Sequence, residues 1–467
     1  MSSIAAARGV TYLGLDVHRD TISVAVLGPG HEAPTVDRIA IDEPSIRRLV
    51  AQFSNPGRLR ACYEAGPTGY ELARLLDRLE VRCEVIAPAL IPKAPGDKIK
   101  TDSRDCRRLA RLYRAGELTP IRVPTVAEEA VRDLCRARGD MSADRTRARH
   151  RLSKFLLRHG RVFRAGAAWT HAHERWLLGQ RFDDPALATT YAHYRATLQA
   201  RDAALEAIEA DLASWYGKPP FADAVARLAA YRGVTRLGAL TLASEVGDWR
   251  RFASAPQFMG FCGLTPSEYS SGQRTWRGQI TKCGNSHLRA QLVESAWAYQ
   301  YRPAATLELR RRQAGLPPEV TARAWTAQLR LCGRFRRLAA RKHIRQVVVI
   351  AVARELAGFL WAENDRLACR PTSSDPPTGR SGSDRGRHDA PAPRRCRTDP
   401  RPFCATSHAL VASRLVVSVA REVAGMSATA GSGSLVLRFQ REEHRDDRRG
   451  QDERPGTAGQ GAGRRAR

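Results

Sequence analysis

Residues 11–28 read TYLGLDVHRDTISVAVLG, an apolar stretch rich in β-branched residues with one aspartate, Asp16, inside its first half. The pattern predicts two strands joined as a hairpin. A carboxylate within a buried strand is costly to desolvate unless it is paired or bound to a metal ion. The stretch therefore predicts both the opening of a sheet and a functional acid within it.

The segment that follows alternates between strand and helix patterns as far as residue 123. PTVDRIAID, RLRACYEAG and CEVIAPA are typical of strands, whereas EPSIRRLVAQF and GYELARLLDRLE are typical of helices. This alternation predicts an α/β domain over residues 11–123.

Three further acids occupy notable positions in this domain. Glu64 ends a predicted strand at a Gly-Pro turn, and Asp102 and Asp105 open a predicted helix with both carboxylates on one face. Asp102 could instead be a helix N-cap, and Asp16 could simply end a strand. Together the four acids predict an oxygen-lined pocket for Mg²⁺ or Mn²⁺, the kind of site that cuts phosphodiesters. Nearby cations would attract a nucleic-acid backbone, namely Lys98, Lys100 and Arg104.

The composition favours a nucleic-acid partner. Lys and Arg number 77 against 48 Asp and Glu, which gives a formal net charge of +29 over 467 residues. Ten scattered cysteines without a CxxC pair indicate reduced thiols. The sequence has neither the pattern of a signal peptide nor an apolar span free of charge, so we expect a cytoplasmic protein.

Residues 124–220 lack strand patterns. Apolar residues recur there at spacings of three and four in two runs, one from Ala127 to Phe155 and the other from Leu187 to Trp215. Two long helices of coiled-coil type are predicted. They could pack on each other as an intramolecular hairpin or mediate dimerisation, and the pattern favours neither alternative.

Residues 221–365 form a third, mainly helical region with a Gly-rich basic centre. The region opens with a helix, the turn GVTRLG and a second helix, similar to a helix-hairpin-helix. Such a turn can offer backbone N–H groups to a phosphate without reading sequence. An ordinary helical hairpin explains the turn equally well.

The centre of that region reads GLTPSEYSSGQRTWRGQITKCGNSHLR. Ser270 and Ser271 precede Gly272, and most serines before a glycine merely form turns. A serine hydroxyl among guanidinium groups could, however, attack a phosphodiester whose charge those groups stabilise. The basic residues that follow are Arg274, Arg277, Lys282 and Arg289.

Residues 366–467 differ from the rest of the chain in composition. They contain no lysine, and Pro, Gly and Ser dominate long stretches. We expect this tail to be disordered apart from HALVASRLVVSVAREVAG. A shifted reading frame after the end of a domain would produce the same kind of segment.

The four acids, in their order along a hairpin-led α/β domain, resemble the DEDD tetrad of RuvC-like nucleases of the RNase H fold. Their contexts GLDVHRDT, YEAGPTGY and KTDSRDCRRLA resemble DEDD transposases of the insertion sequence one-ten family and the related Piv-type DNA invertases. The C-terminal pattern of that family is Gly-Leu-x-Pro, Ser-Gly and Arg-Gly-x-Ile-Thr-Lys-x-Gly-Asn-x-x-Leu-Arg. It matches residues 263–266, 271–272 and 277–289, and the resemblance covers about residues 12–365.

The resemblance implies recombination of a mobile element through a covalent serine–DNA intermediate, with Ser271 as the nucleophile and Ser270 less suited to that role. It also implies a structured guide, the bridge RNA, that pairs with donor and target DNA. By this resemblance the assembly is a tetramer in which the acids of one subunit meet the serine of another, and we expect a homo-oligomer, dimer or tetramer. Two other functions remain open, a metal-dependent nuclease such as a junction resolvase and a non-catalytic nucleic-acid-binding protein.

Overall fold

The computed structural model describes residues 9–92, 101–272, 274–342 and 344–368. These residues form two compact units, the first comprising Met1–Ser142 with Arg201–Ala368 and the second containing Ala143–Ala200, each within the described ranges. Lys98, Lys100 and residues 369–467 of the predicted tail lie outside those ranges. No helix in the described part of the chain is long and apolar enough to cross a membrane.

The first unit contains a six-stranded mixed sheet in the spatial order β3-β2-β1-β4-β5-β6. The strands are β1 (Thr11–Val17), β2 (Thr21–Leu27), β3 (Thr35–Ala40), β4 (Leu59–Glu64), β5 (Arg82–Ile86) and β6 (Pro120–Ile121). Strands β1, β4 and β5 run parallel, and the hairpin partners β2 and β3 run antiparallel. The predicted α/β domain with an opening hairpin is confirmed, and the sheet is consistent with a RuvC-like fold.

Helices cover both faces of this sheet. They are α1 (Glu43–Ala51), α2 (Glu71–Arg78) and α3 (Asp102–Ala115). Leu49 of α1 and Leu76 of α2 share one buried cluster with Leu13 and Leu15 of β1. On the opposite face, α3 packs its apolar residues on β2 and β4 in two smaller clusters. Because side chains alternate along a strand, every second residue of β1 faces α3.

Two long helices occupy the region without strands, α4 (Val126–Arg158) and α6 (Pro185–Ala213), with the short α5 (His171–Leu178) between them. In the first unit, one cluster buries apolar residues of both long helices, namely Val131, Cys135, Leu205, Ile208 and Leu212. In the second unit, another does so with Ala148, Leu152, Phe155 and Leu198. These residues of the two helices are buried within the chain, and a role of the helices in dimerisation stays a prediction.

The C-terminal part is mainly helical, as predicted, with one β-hairpin. Its elements are α7 (Ala222–Ala229), α8 (Arg236–Val246), α9 (Ala255–Phe261), β7 (Pro266–Ser271), β8 (Arg274–Ile280), α10 (Ser286–Ala296), α11 (Leu307–Gln313), α12 (Pro318–Ala339) and α13 (Arg345–Ala368). Helix α13 continues three residues past the predicted boundary at residue 365. The fully buried carboxylate of Glu363 on α13 is neutralised by Arg227 and Arg323 and accepts a hydrogen bond from Tyr231.

A close contact through Gly14 holds α3 against β1. A Cβ atom at Gly14 would lie 2.2 Å from the carbonyl oxygen of Cys106 and 2.5 Å from the backbone nitrogen of Ala110. Both contacted residues are small and fully buried. The backbones of the strand and the helix therefore approach at a distance that only glycine permits at this position.

We expect Gly14→Val to force α3 away from the sheet, which should destabilise the protein by roughly 1–3 kcal/mol or more and displace the first turn of the helix. Urea unfolding measures the stability, and Mn²⁺ binding reports the position of the acids that this turn carries. Gly139→Ala in α4 is the control, because no atom outside the adjoining backbone of its own helix and its two neighbouring residues lies within 4 Å of the added methyl group. A Gly14→Val protein with wild-type stability and metal affinity would contradict this account of the packing.

Candidate functional site

Asp16 and Glu64 lie side by side at the carboxyl ends of the two central strands of the sheet. Strands β1 and β4 are parallel neighbours, and the last residues in register are Leu15 and Tyr63. Asp16 and Glu64 follow these residues directly, on strands about 4.8 Å apart. The two acids therefore occupy matching positions at the carboxyl ends of adjacent strands.

Both acids point to the face that α3 covers. Gly14, two residues before Asp16, contacts α3 directly. Cys62, two residues before Glu64, packs on Leu109 of α3. Since residues two apart in a strand share a face, the carboxylates of Asp16 and Glu64 lie on the α3 side of the sheet.

Helix α3 begins at Asp102 and carries Asp105 one turn later. Thr101 is its N-cap residue, so Asp102 is not the cap that the sequence left as an alternative. The two acids share one face of the helix because they are three residues apart. Packing of α3 on β1 brings this first turn to the end of the strand that carries Asp16.

His18 connects two of the four acids. Its Nε2 atom lies 3.3 Å from Asp16 Oδ2 and 3.3 Å from Asp102 Oδ1. One possible ligand atom from each of these three residues lies within 4.8 Å of the other two. Glu64 and Asp105 are not members of this group of three. The four-acid pocket therefore stays a prediction, while a smaller cluster at its centre is present.

Sequence reasoning missed His18. The residue is half exposed just beyond the end of β1, and it stands in the quoted context GLDVHRDT. The signal that identifies it is the spacing of two from Asp16, which places both side chains on the same face of an extended chain.

The electrostatics of the cluster favour a bound cation. Partial burial raises the pKa of the Asp16 carboxyl, and the negative charges of Asp102 and Asp105 raise it further, while His18 opposes both effects. A cation bound beside Asp16 would offset the repulsion that the charges of Asp102 and Asp105 exert on its ionised form. Carboxylate oxygens are the ligands that Mg²⁺ and Mn²⁺ prefer, so the donor set fits such an ion.

The predicted DNA-attracting residues of this region can be placed only in part. Arg104 is exposed on the first turn of α3, next to the acids. Lys98 and Lys100 lie outside the described residues. A role for these cations in nucleic-acid binding stays a prediction.

The second predicted site lies on the β7–β8 hairpin, whose base is anchored by a buried network. Asn285 caps α10 by accepting a hydrogen bond from the backbone of Leu288 and donates another to Glu245. Glu245 is almost completely buried and pairs with Arg136 through two hydrogen bonds. Burial alone would raise the pKa of Glu245, but its bonds to Arg136 hold that pKa below the ordinary value.

Arg289, predicted to bind nucleic acid, supports the same base. Its Nη1 atom donates to the carbonyl oxygens of Cys262 and Lys282, each at 3.2 Å. Burial lowers the pKa of the Arg289 guanidinium. Gly284, which has a positive φ of 107°, allows this loop to approach α9, where a Cβ atom would meet the oxygen of Phe261 at 2.2 Å.

The hairpin distinguishes the two candidate serines. The hydroxyl of Ser270 donates to Glu268 Oε1 at 2.8 Å. The hydroxyl of Ser271 is exposed at the end of β7 and makes no hydrogen bond to any described residue. Ser271 is therefore the serine whose side chain is available to a ligand.

The predicted cations are distributed unevenly around Ser271. Arg274 is its direct partner across the two strands. Arg277 forms an ion pair with Glu268 at 3.2 Å, on the other face of the hairpin. Lys282 is exposed near the base. The structure thus places Arg274 opposite Ser271. Arg277 lies on the other face of the hairpin, and Lys282 and Arg289 follow the end of β8.

The GVTRLG turn connects α7 and α8 and packs tightly against α10. A Cβ atom at Gly233, which has a φ of 82°, would lie 2.1 Å from the carbonyl oxygen of Ser295. Thr235 caps α8 by accepting a hydrogen bond from the backbone of Gly238. This packing explains the turn as part of the fold, and its binding to phosphate stays a prediction.

Two family models match the segments of the chain that contain the two candidate sites. A model of DEDD transposases of the IS110 group matches residues 13–160, and a model described as the transposase IS116/IS110/IS902 family matches residues 225–308. The first match spans the acids, and the second spans the serine hairpin.

Curated transposases are similar over most of the chain. A putative transposase, y4qE, of Sinorhizobium fredii is 42% identical over 354 residues, which cover 75% of this chain and 87% of the relative. The transposase for insertion sequence element IS1533 of Leptospira borgpetersenii is 32% identical over 334 residues, which cover 70% of this chain and 96% of the relative. A probable family 20 transposase of Pseudomonas aeruginosa is 27% identical over 366 residues. The chain belongs to the IS110 family of DEDD transposases, enzymes that cleave and transfer DNA and whose acids imply a divalent metal ion.

Proposed function

We propose that this transposase excises and inserts its element through a covalent bond between Ser271 and DNA, at a site completed by divalent ions. The acids Asp16, Glu64, Asp102 and Asp105 would hold those ions, with Mg²⁺ as the physiological one and Mn²⁺ as a substitute. The observation that carries the proposal is the convergence of Asp16, His18 and Asp102 within 4.8 Å, although Asp16 and Asp102 are far apart in the sequence.

The bound metal would polarise the scissile phosphate and stabilise the charge that develops on it. The protein's contribution is the placement of the ligands. Strands β1 and β4 hold Asp16 and Glu64 at matching positions, and the tight contact at Gly14 fixes the helix that carries Asp102. A site built on a sheet and a packed helix keeps its geometry better than one built on loops.

The exposed hydroxyl of Ser271 supports the covalent step. Its oxygen would form a bond to the phosphorus and give up its proton, while the bond from phosphorus to the leaving deoxyribose oxygen breaks and that oxygen takes up a proton. Arg274, directly opposite, would stabilise the charge on the phosphoryl oxygens. Transfer to a new strand reverses these bonds with another hydroxyl as acceptor.

Assembly and RNA guidance rest on the family resemblance and on charge. The group of three ligand residues contains no residue of the β7–β8 hairpin. We propose that a dimer or tetramer brings the acids of one subunit to the serine of another. A net charge of +29 is compatible with a structured guide RNA in addition to DNA.

A chelation experiment tests the metal-dependent part of the proposal. With element-end DNA and a guide RNA, if the flanking DNA encodes one, we expect the wild-type protein to cleave and join strands in Mg²⁺ or Mn²⁺. Cleavage should cease in EDTA, because the clustered carboxylates lose the ion that they position, and should return when the metal is restored. Salt-dependent DNA binding in EDTA is the control for folding. Undiminished cleavage in EDTA would refute the metal site.

A further inference from the structure

The β7–β8 hairpin has two chemically different faces. Residues directly opposite each other in an antiparallel pair point to the same side, and residues two apart in a strand do so as well. Tyr269 pairs with Trp276, and Ser271 pairs with Arg274. One face therefore carries all four of these side chains.

The opposite face satisfies its own polar groups. Glu268 lies across from Arg277 and forms an ion pair with it. The Ser270 hydroxyl donates a hydrogen bond to the same carboxylate. The bonds from Ser270 and Arg277 together lower the pKa of Glu268. This face has no need of a ligand, in contrast to the face of Ser271.

The aromatic pair on the Ser271 face is unusually exposed. Tyr269 is 68% exposed and Trp276 is 58% exposed. Their ring centroids lie 5.6 Å apart with an interplanar angle of 39°, so the two rings form a continuous apolar surface. Large aromatic side chains exposed side by side are typical of binding surfaces rather than of ordinary protein surface.

The charge of this face favours DNA over a second copy of the chain. The four residues include one cation, Arg274, and no acid, and the whole chain is strongly basic. Two identical cationic faces would repel each other, whereas nucleic acid offers both phosphates for the cation and flat bases for the rings. Exposed aromatics beside a basic residue are the usual device for binding unpaired bases.

We propose that Tyr269 and Trp276 stack on unpaired DNA bases beside the phosphate that Ser271 attacks, and so position that phosphate. This inference rests on the proposed function of Ser271. Two residues along a strand span about 7 Å, which corresponds to one or two nucleotides at roughly 3.4 Å each. The rings would therefore hold a base next to the scissile bond while Arg274 contacts the backbone.

The test compares two fluorescent DNA probes in EDTA, where cleavage does not proceed. One is a duplex with four unpaired thymines at its centre, and the other is fully paired. Alanine at Tyr269 or Trp276 should weaken binding to the unpaired probe roughly 5- to 100-fold, as expected for the loss of stacking on a base. Binding to the paired probe should change little, and the salt dependence should stay the same because no phosphate contact is lost.

Matched variants separate stacking from other effects. Trp276→Phe should retain most of the preference for unpaired DNA. Trp325→Ala removes another exposed tryptophan, on α12, and should leave both affinities unchanged. Arg274→Ala should instead weaken both probes and reduce the salt slope by about one.

Three outcomes would overturn the proposal. Unchanged affinities in the Tyr269→Ala and Trp276→Ala proteins would exclude stacking. Equal losses on both probes would exclude selectivity for unpaired bases. If the Tyr269→Ala or Trp276→Ala protein sedimented as a smaller species than the wild type and bound both probes more weakly as a result, the aromatic face would be assigned to a second copy of the chain. The serine mechanism is tested separately, by adduct formation in the wild-type protein. The binding preference of the Ser271→Ala protein for unpaired DNA should persist whatever the result of that test.

Discussion

Asp16→Asn and Asp102→Asn are each expected to lower strand cleavage by about a thousandfold or more, since a metal site contributes several kcal/mol to the stabilisation of the transition state. Asparagine has nearly the same shape as aspartate but carries no charge, so the ligand set loses affinity for the cation. The fold should survive, because each substitution keeps the shape of the side chain and removes one charge from a cluster in which burial, and then the charges of Asp102 and Asp105, raise the pKa of Asp16. Cleavage of labelled DNA in Mg²⁺ and urea unfolding measure the two effects.

The choice of asparagine also separates metal binding from a purely structural role of Asp102 in the first turn of α3. An acid that only complements the helix dipole there predicts a stability loss of at most about 1 kcal/mol and no loss of cleavage. Asp20→Asn is the matched control, because this exposed acid lies beyond the end of the same strand and pairs only with Arg19 among the described residues. Cleavage at wild-type level in both Asp16→Asn and Asp102→Asn would remove the acids from the mechanism.

Most of the N-terminal sheet could be predicted from the sequence, because its central strands are buried and therefore apolar. The patterns TYLGLDV, TISVAVL and RLRACYE coincide with β1, β2 and β4. Strand β6 was missed because two residues cannot display a periodicity. The hairpin β7–β8 was missed for another reason. Most of its residues are exposed, so no apolar alternation marks it.

The clustering of the acids was only partly accessible to sequence reasoning. The spacing of Asp102 and Asp105 predicts a shared helix face, and both residues do lie in the first turn of α3. The meeting of Asp102 with Asp16 depends on the backbone contact between α3 and Gly14, and the position of Glu64 beside Asp16 depends on the parallel register of β1 with β4. Both are tertiary features. No pattern along the chain specifies them. The spacing of two from Asp16 marks His18 in the sequence, but its contact with Asp102 is again a tertiary feature.

The basic residues show where charge alone misleads. Arg289 and Arg274 look equivalent in the sequence, as two arginines near a Ser-Gly pair. In the structure, Arg289 is half buried and bonded to two backbone carbonyls, whereas Arg274 is exposed opposite Ser271. Whether an arginine supports a loop or meets a ligand is decided by burial, which depends on residues distant in the sequence.

Ser271→Ala is expected to abolish both the covalent protein–DNA adduct and strand exchange. A hydrolytic nuclease transfers the broken strand to water, so rejoining needs another source of energy. A serine recombinase keeps the phosphate on its own hydroxyl and conserves the bond for transfer to a new strand. With labelled donor DNA, Mg²⁺ and a guide RNA where one exists, the wild-type protein should give a denaturant-resistant adduct that peptide mapping assigns to Ser271.

Ser270→Ala is the matched control for this prediction, because the two serines are adjacent and differ only in their surroundings. The Ser270 hydroxyl donates to Glu268 on the self-satisfied face of the hairpin, so its loss should leave at least part of the adduct and of the strand exchange. The Ser271 hydroxyl has no described partner and faces Arg274, so no other group at that position can replace it. Normal recombination by Ser271→Ala would refute the covalent mechanism. Efficient cleavage by the wild-type protein that yields free ends without any adduct would also refute it, and would assign the acids to a resolvase-like nuclease that uses water as the attacking group.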